Sequence, residues 1–391
     1  MRILHTADWH IGRTIRGRSR AAEFEAVLAE LVGIARAEQV EAMLVCGDIW
    51  ETATPTPEAD RLVFEALREC IGLGIQVVLI AGNHDSPRKL EALGMLSELL
   101  GVQTQWRVNR PEAGGILNIE GREHVARIAA VPWLREGDFV DAAQLMGLEE
   151  DRYVAYADGA GEIHRAMCTP FTPDTVNILA GHVFLNGARY AARDGSERQL
   201  HIGQAYGIAP AALPPAPQYI ALGHIHSPQR ITDAPVPTEY AGSLLQLDFG
   251  EAHDEKRVVI VDAVPGRPPD VRSISLTKGR RLHQLHDTFD NVLAQGASLG
   301  NAHIRVVLKL GKQEPGIAQR LRDQLPGVVD VQPEYPDLIE AIEEHPSLAS
   351  LAPEEQFVHY YRAQHQADPA PETIVLFRTL HDAAVTAETE A

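Results

Sequence analysis

The feature that most limits what this chain can fold into is a short apolar run that repeatedly stops at a cluster of Gly, Asp, Asn or His. It occurs at Arg2-Ile3-Leu4-His5-Thr6-Ala7-Asp8, at Ala42-Met43-Leu44-Val45-Cys46-Gly47-Asp48 and at Val77-Val78-Leu79-Ile80-Ala81-Gly82-Asn83-His84-Asp85. It returns at Val176-Asn177-Ile178-Leu179-Ala180-Gly181-His182 and at Tyr219-Ile220-Ala221-Leu222-Gly223-His224. Runs this short and this apolar suit strands buried on both faces. Helical stripes fit between them. Phe24, Val27, Leu28, Leu31 and Ile34 share one face of Ala22 to Gln39, and Leu62, Leu67, Cys70 and Ile71 roughly repeat the pattern before the third run. Strand–helix alternation predicts an α/β fold with largely parallel pairing. In such folds the loops at the carboxyl ends of strands build the site, and all five polar clusters lie there.

From Glu239 to Val264 the pattern changes, and Tyr240 to Leu247 with Arg257 to Val261 reads as antiparallel strands closing a second sheet. After the turn-rich Pro265-Gly266-Arg267-Pro268-Pro269 one more strand is expected over Val271 to Leu276. A length of 391 residues exceeds one comfortable core. The expected division is a first domain over residues 1–277, a small α+β unit over 278–345 and a helical tail over 346–391. In the small unit Ile304, Val306, Leu308 and Leu310 alternate as a strand, Ile317 to Leu325 reads as a helix, and Val328 to Val331 as a second strand. The tail carries two helical pieces, one with Phe357, Tyr360 and Tyr361, the other with Ile374, Phe377 and Leu380. Both read as short for isolated helices, so they either pack on the body or dock on a partner.

Three cysteines, Cys46, Cys70 and Cys168, form no metal-finger spacing and read as buried thiols of a reducing compartment. No apolar stretch reaches the length of a bilayer span and the N-terminus has no apolar signal core, so a cytoplasmic protein without membrane contact is expected. The net charge of −19 opposes nucleic acid as a partner on bulk grounds. Bound metal ions, a local basic patch or a second subunit could supply the missing positive charge.

The chemistry lies in five motifs: Asp8-Trp9-His10, Gly47-Asp48, Gly82-Asn83-His84-Asp85, Gly181-His182 and Gly223-His224-Ile225-His226. Their oxygen and imidazole donors suit Mn²⁺, Fe²⁺ or Zn²⁺ better than Ca²⁺ or a thiolate site. Residues two apart at an extended strand end point the same way, so Asp8 with His10, and His224 with His226, can grip metal as pairs. The glycines let the backbone turn sharply and keep side chains out of the pocket. Singly, each motif has a plain alternative as a polar strand end or turn. Five in order, each ending an apolar run, make a metal site the better reading.

Their order and residues resemble the calcineurin-like metallophosphoesterase superfamily, over about residues 1 to 260. The resemblance implies an α/β two-sheet sandwich of βαβ units with helices outside, followed here by the small α+β unit and C-terminal helices. It implies Asp8, His10 and His226 on one divalent metal, Asn83, His182 and His224 on a second, and Asp48 bridging both. His84 would sit over the substrate phosphate as a catalytic group rather than a ligand, with Asp85 orienting its ring and raising its pKa. Hydrolysis would use a hydroxide bridged between the metals.

Further stretches resemble the SbcD-type DNA nuclease subunits of that superfamily: Gly12 to Arg20, Ala129 to Arg135, Gly195 to Arg198, Tyr219 to Gln229, Gly242 to Leu245, Phe249 to Glu251, and Lys278 to Leu282. This likeness extends to about residue 345. It implies a homodimer working with an SbcC-like SMC/ABC ATPase on double- and single-stranded DNA, with Mn²⁺. The small unit would then cap the DNA-binding face and the tail would hold the ATPase coiled coil. Arg13, Arg16, Arg18 and Arg20 are either DNA-phosphate contacts or a solvated loop. Glu51 stands where archaeal and eukaryotic relatives carry a further histidine. The rival readings are a metallophosphoesterase acting on small phosphodiesters or phosphoproteins, and a non-catalytic scaffold.

Overall fold

The computed structural model describes residues 1–97, 101–134, 156–190, 207–335, 352–365 and 368–389. The N-terminal part alternates as expected: β1 (Arg2–Thr6), α1 (Ala21–Ala37), β2 (Ala42–Cys46), α2 (Pro57–Gly72), β3 (Gln76–Ile80), α3 (Pro87–Ser97) and β4 (Val102–Gln105). α2 starts where Thr56 Oγ1 accepts the Ala59 N–H and Pro57 occupies the first turn, which has no use for its missing donor. A second group follows: β5 (Ile116–Glu120), β6 (Val125–Val131), α4 (Tyr156–Met167), β7 (Val176–His182), β8 (Tyr219–Gly223), β9 (Gln229–Ile231) and β10 (Thr238–Tyr240). β11 (Arg257–Asp262) and β12 (Asp270–Ser275) complete the body.

Two six-stranded sheets result, ordered β12-β11-β1-β2-β3-β4 and β5-β6-β7-β8-β10-β9. β1 to β4 run parallel, as do β6, β7, β8 and β10, so the carboxyl ends of the motif strands gather at one end of the sandwich. Alternation within strands explains the three layers of core. Ile3, Leu44, Cys46, Val78 and Ile80 face the second sheet, while Leu4, Met43, Val45, Val77 and Leu79 face α1 and α2. Each such side chain, buried on folding, contributes about 1.5–3 kcal/mol. The second sheet answers with Ile128, Ile178 and Tyr219 among the smaller Ala126, Ala130, Ala180 and Ala221. Its outer face packs on Ala160, Ile163 and Met167 of α4.

One expectation needs correction. The segment Glu239 to Val264 does not close a single second sheet. Thr238–Tyr240 joins the second sheet, but Arg257–Asp262 crosses to the first, antiparallel to β1 with Leu4 opposite Ile260. An apolar run reports burial on both faces, not which sheet it joins. Leu244, Leu245 and Leu247 form no strand and pack instead into the layer beneath α1 and α2.

The small unit is a parallel three-stranded sheet, β13 (Leu282–Asp287), β14 (His303–Lys309) and β15 (Val328–Glu334), with α5 (Phe289–Ala297) and α6 (Ile317–Gln324) packed on it. β13 and α5 were not foreseen. Leu282 to Asp287 interleaves its two leucines with polar residues and lacks a clean apolar face. The unit is joined to the body by polar bonds. Glu23 on α1 accepts from Arg20 Nη2 at 2.8 Å, from the Arg280 N–H at 2.8 Å and from His303 Nε2 at 2.8 Å. Gln246 Oε1 accepts the Leu282 N–H at 2.8 Å.

The tail helices are α7 (Pro353–His365) and α8 (Pro371–Thr389), and the second is longer than its apolar residues suggested. Phe357 stacks on Phe377 at 4.4 Å, while Tyr360, Val375, Leu376 and Leu380 are exposed. Residues 336–351, with the end of the expected capping unit and the start of the tail, lie outside the described residues, as do Arg135 and Gly195 to Arg198. Among the described residues no helix is long and apolar enough to cross a membrane.

Candidate metal centre

The structure brings all seven expected ligands together where the two sheets meet. β1 delivers Asp8 and His10, β2 Asp48, β3 Asn83, β7 His182, and β8 His224 and His226. The backbone there departs from strand geometry. Asp8, His10, Asp48 and His224 all have positive φ, at 50°, 47°, 50° and 98°. Such conformations are uncommon for residues with a Cβ and persist where the surroundings enforce them. Here the loops are cross-bonded: the Asp8 N–H donates to Gly47 O at 3.0 Å, the His10 N–H to Asp48 O at 2.9 Å, and the His224 N–H to Asp8 Oδ1 at 2.9 Å.

Three motif glycines are required sterically, and a Cβ on Gly223 would lie 1.8 Å from Cys46 O. A Cβ on Gly47 would lie 2.1 Å from His182 Nδ1, and one on Gly82 would lie 2.1 Å from Asp48 Oδ1. Both would occupy space the donor groups need.

The donors form overlapping groups. Asp8, His10 and His226 are one, and Asp8, Asp48 and His182 another, each with ligand atoms within 4.8 Å of one another. His10 Nε2 lies 3.1 Å from His226 Nε2 and 3.5 Å from Asp48 Oδ2, while His182 Nε2 lies 3.4 Å from the same Asp48 oxygen. Asp48 thus reaches both sides. Asn83 Oδ1 sits 3.0 Å from His182 Nε2 and 3.0 Å from His224 Nδ1. His10, Asp48 and His84 form a third group, so His84 is also within reach of a cation held by Asp48.

These residues fit divalent cations. Asp8 Oδ2 is buried without a hydrogen-bond partner among the described residues. A buried carboxylate oxygen without a donor is costly and is relieved by a cation. His10 Nδ1 is engaged by Glu51 Oε2 at 2.9 Å and His182 Nδ1 by Cys46 O at 2.8 Å, which turns both Nε2 atoms inward. Burial pushes the Cys46 thiol well above its usual range, so it offers no thiolate.

The electrostatics match a crowded acidic pocket. Burial opposes ionisation of Asp48, but the imidazoles of His182, His10 and His84 more than offset it and hold its carboxyl well below the usual range. Asp8 moves up, because burial outweighs the imidazoles of His182, His226 and His10. His182 is pushed up to about 9: burial lowers it, and the Asp48 and Asp8 carboxylates prevail.

The expected role of Asp85 is corrected. Its carboxylate does not touch the His84 ring. It accepts backbone N–H groups from Ile49 at 3.0 Å, Trp50 at 3.1 Å and Gly82 at 2.9 Å, tying the Asp48 loop to the Asn83 loop. His84 is oriented instead by Glu51, whose carbonyl accepts from Nδ1 at 2.7 Å. Burial lowers the pKa of His84 in spite of the nearby Asp48, against the expected rise.

The arginine quartet is also redistributed. Arg20, expected as a DNA contact, has a fully buried side chain that donates to Glu23 and, at 2.5 Å, to Gln246 O. Arg16 pairs with Asp330 at 3.1 Å, and Arg18 donates to Pro326 O and Val328 O at 2.8 and 2.9 Å, so both bind the small unit. Arg13 alone of the four stands at the centre, 2.6 Å from Glu51 Oε1.

Two site residues carried little signal in the sequence. Glu51, noted only as a departure, binds His10, Arg13 and His84 at once, and these bonds to His10 and Arg13 take its carboxyl, which burial would raise, down to about 2. Trp133 stacks on His224 at 4.7 Å, its backbone fixed to Ala81 O at 2.9 Å. Its presence in the stretch Ala129 to Arg135 was the one available hint.

A family profile described as calcineurin-like phosphoesterase matches residues 1–228, more than half of the chain. The SbcD component of the SbcCD nuclease from Bacillus subtilis (strain 168) is 33% identical over 398 residues, covering 97% of each chain. The protein of the same name from Rhodobacter capsulatus is 35% identical over 283 residues, covering 69% of this chain and 68% of its own. That of Escherichia coli K12 is 30% identical over 299 residues, covering 75% and 73%. With the two-sheet α/β sandwich and the clustered donors, these likenesses make this chain a member of the calcineurin-like phosphoesterase family, a metal-dependent phosphodiester hydrolase of its SbcD branch.

Proposed function

We propose that the chain is the nuclease subunit of an SbcC–SbcD-type complex, cutting DNA with two divalent ions, Mn²⁺ in particular. In this reading it degrades double-stranded ends under ATP control and nicks single strands and hairpins, in repair, recombination and replication. The observation that carries it is Asp48 Oδ2, 3.5 Å from His10 Nε2 on one side and 3.4 Å from His182 Nε2 on the other, with Asn83 between His182 and His224. Asp8, His10 and His226 would hold one ion, and Asn83, His182 and His224 the other. Bound there, such ions supply Lewis-acid charge to phosphoryl oxygens and make a water acidic enough to serve as nucleophile near neutral pH.

The protein's own groups do the rest. His84 donates a hydrogen bond from Nδ1–H to the Glu51 carbonyl, which leaves Nε2 to bind or exchange a proton with the substrate. Its ring lies beside that of His10, with centroids 4.7 Å apart, and is only half-buried, which supports a role facing the substrate. Arg13, held by Glu51, is the cation of the quartet nearest the centre and the one suited to a DNA phosphate. A net charge of −19 favours weak DNA binding by this chain alone and a need for an SbcC-like ATPase. The small unit after Ser275 would cap the DNA, the apolar face of α7 and α8 would meet the ATPase coiled coil, and the body would pair as a homodimer.

The test offers the purified chain linear duplex, single-stranded and hairpin DNA, and a small chromogenic phosphodiester. Each is tried with Mn²⁺, Mg²⁺ or chelator, with and without the ATPase and ATP. Expected are Mn²⁺-dependent nicking of hairpins by the chain alone and ATP-dependent resection with the ATPase. Turnover of the chromogenic ester with every DNA left intact would favour a small-phosphodiester enzyme instead.

A further inference from the structure

Behind the candidate centre lies a buried carboxylate outside the five donor motifs. Glu251 ends a single helical turn, Phe249–Glu251, and is 1% exposed. Its Oε1 lies 3.1 Å from His226 Nδ1. Its Oε2 accepts from Lys256 Nζ at 2.8 Å and from the Leu247 N–H at 3.0 Å. Lys256, itself buried, also donates to the His226 carbonyl at 2.9 Å and lies 3.3 Å from Asp254. One ion pair thus grips both the ring and the backbone of His226.

We propose that Glu251, charge-balanced by Lys256, is a positioning residue that fixes His226 with Nε2 toward His10 and thereby sets the affinity of one of the two metal positions. The inference rests on the metal reading of the centre given above.

An imidazole has two nitrogens, and the hydrogen bond at one decides what the other can do. A carboxylate at Nδ1 keeps the proton there and leaves the Nε2 lone pair for a cation. His10 is treated alike by Glu51, so two lone-pair-bearing Nε2 atoms meet at 3.1 Å. That approach calls for positive charge between them, which a divalent cation or a shared proton supplies. A plain structural ion pair would not require Oε1 to be turned to the ring. Burying two charges is an expensive way to stabilise a core, since a well-packed apolar pair often does as well.

That last point provides the experiment. Two double variants of the full chain remove the buried pair without leaving a lone charge: Glu251→Leu with Lys256→Met, and Glu251→Gln with Lys256→Met. Only the second restores an acceptor for His226 Nδ1. Mn²⁺ is titrated into each metal-free protein by calorimetry, and melting is followed in parallel. The leucine variant is expected to bind one of the two ions about 10–100-fold more weakly, the other as in the wild type. The glutamine variant should recover part of that loss. Combining the leucine variant with His226→Ala should add little, because both changes disable one ligand.

Identical Mn²⁺ binding by the two double variants overturns the inference. So does weakening of both positions together with a lower melting temperature, the mark of a general packing role. A wild-type chain that takes up no Mn²⁺ removes the metal reading itself, and is told apart because the variants then have nothing to lose.

Discussion

Replacing Asp85 tests the architecture of the centre rather than its chemistry. Its carboxylate is buried and receives three backbone N–H groups, from Ile49, Trp50 and Gly82. Glycine backbone at 82 and the loop after Asp48 have few alternatives, because Gly82 lies against Asp48 itself. Leaving a buried donor unsatisfied costs about 1–3 kcal/mol. Three such donors set an upper range that water entering the vacated space would reduce, so Asp85→Ala is expected to destabilise the protein by about 3–5 kcal/mol. Asp85→Asn keeps one acceptor oxygen and turns an amide N–H toward a donor, for a loss of about 1–3 kcal/mol. Urea denaturation followed by tryptophan fluorescence suits the measurement. All four tryptophans, Trp9, Trp50, Trp106 and Trp133, belong to the body, and Trp50 is one of the bonded residues. An Asp85→Asn protein as stable as the wild type, with its pH–rate profile displaced, would refute the reasoning. That pattern belongs to a carboxylate acting on the His84 ring.

Other expectations follow from the same contacts. The Glu23 carboxyl is held down to about 2, because bonds from His303, Arg20 and the Arg280 N–H outweigh its burial. A depressed carboxyl stabilises above its unfolded pKa and loses that contribution as pH falls toward the folded value. Glu23→Gln should therefore lower stability near neutrality by about 1–2 kcal/mol after screening, and the gap to wild type should close between about pH 4.5 and 2 in paired denaturation curves. His84→Ala should retain both ions by metal analysis while turnover drops about 10²–10⁴-fold; loss of metal would contradict its proposed place on the substrate side. Gly82→Ala drives a methyl into Asp48 and should weaken Mn²⁺ binding while the fold, read by circular dichroism, persists. Truncation before Pro346 should abolish co-purification with the SMC-like ATPase yet spare Mn²⁺-dependent nicking of hairpin DNA.

Much of the centre was legible because its elements are local. A strand buried on both faces declares itself within five residues, and a ligand at its carboxyl end follows at once. Residues whose partners lie far along the chain were less legible. Glu251 and Glu51 look like ordinary loop acids, and their roles depend on loops folding back to the Nδ1 atoms of His226 and His10. The arginines after His10 read as a basic patch, yet one is buried and two are consumed by the small unit. Asp85 follows His84 directly, but neighbours along an irregular loop point apart, and its carboxylate went to the backbone instead.

By itself, then, the sequence determined the strand–helix alternation, the donor types, and the glycines that leave room for them. Those follow from periodicity and side-chain chemistry, which act over a few residues. Only the tertiary structure decided which atoms meet. His10 and His226 are separated by 216 positions, and the positive φ angles at Asp8, His10, Asp48 and His224 exist because the packed sheets hold their loops there. Such conformations cost energy locally and are selected by the whole fold, so no short stretch of sequence can announce them.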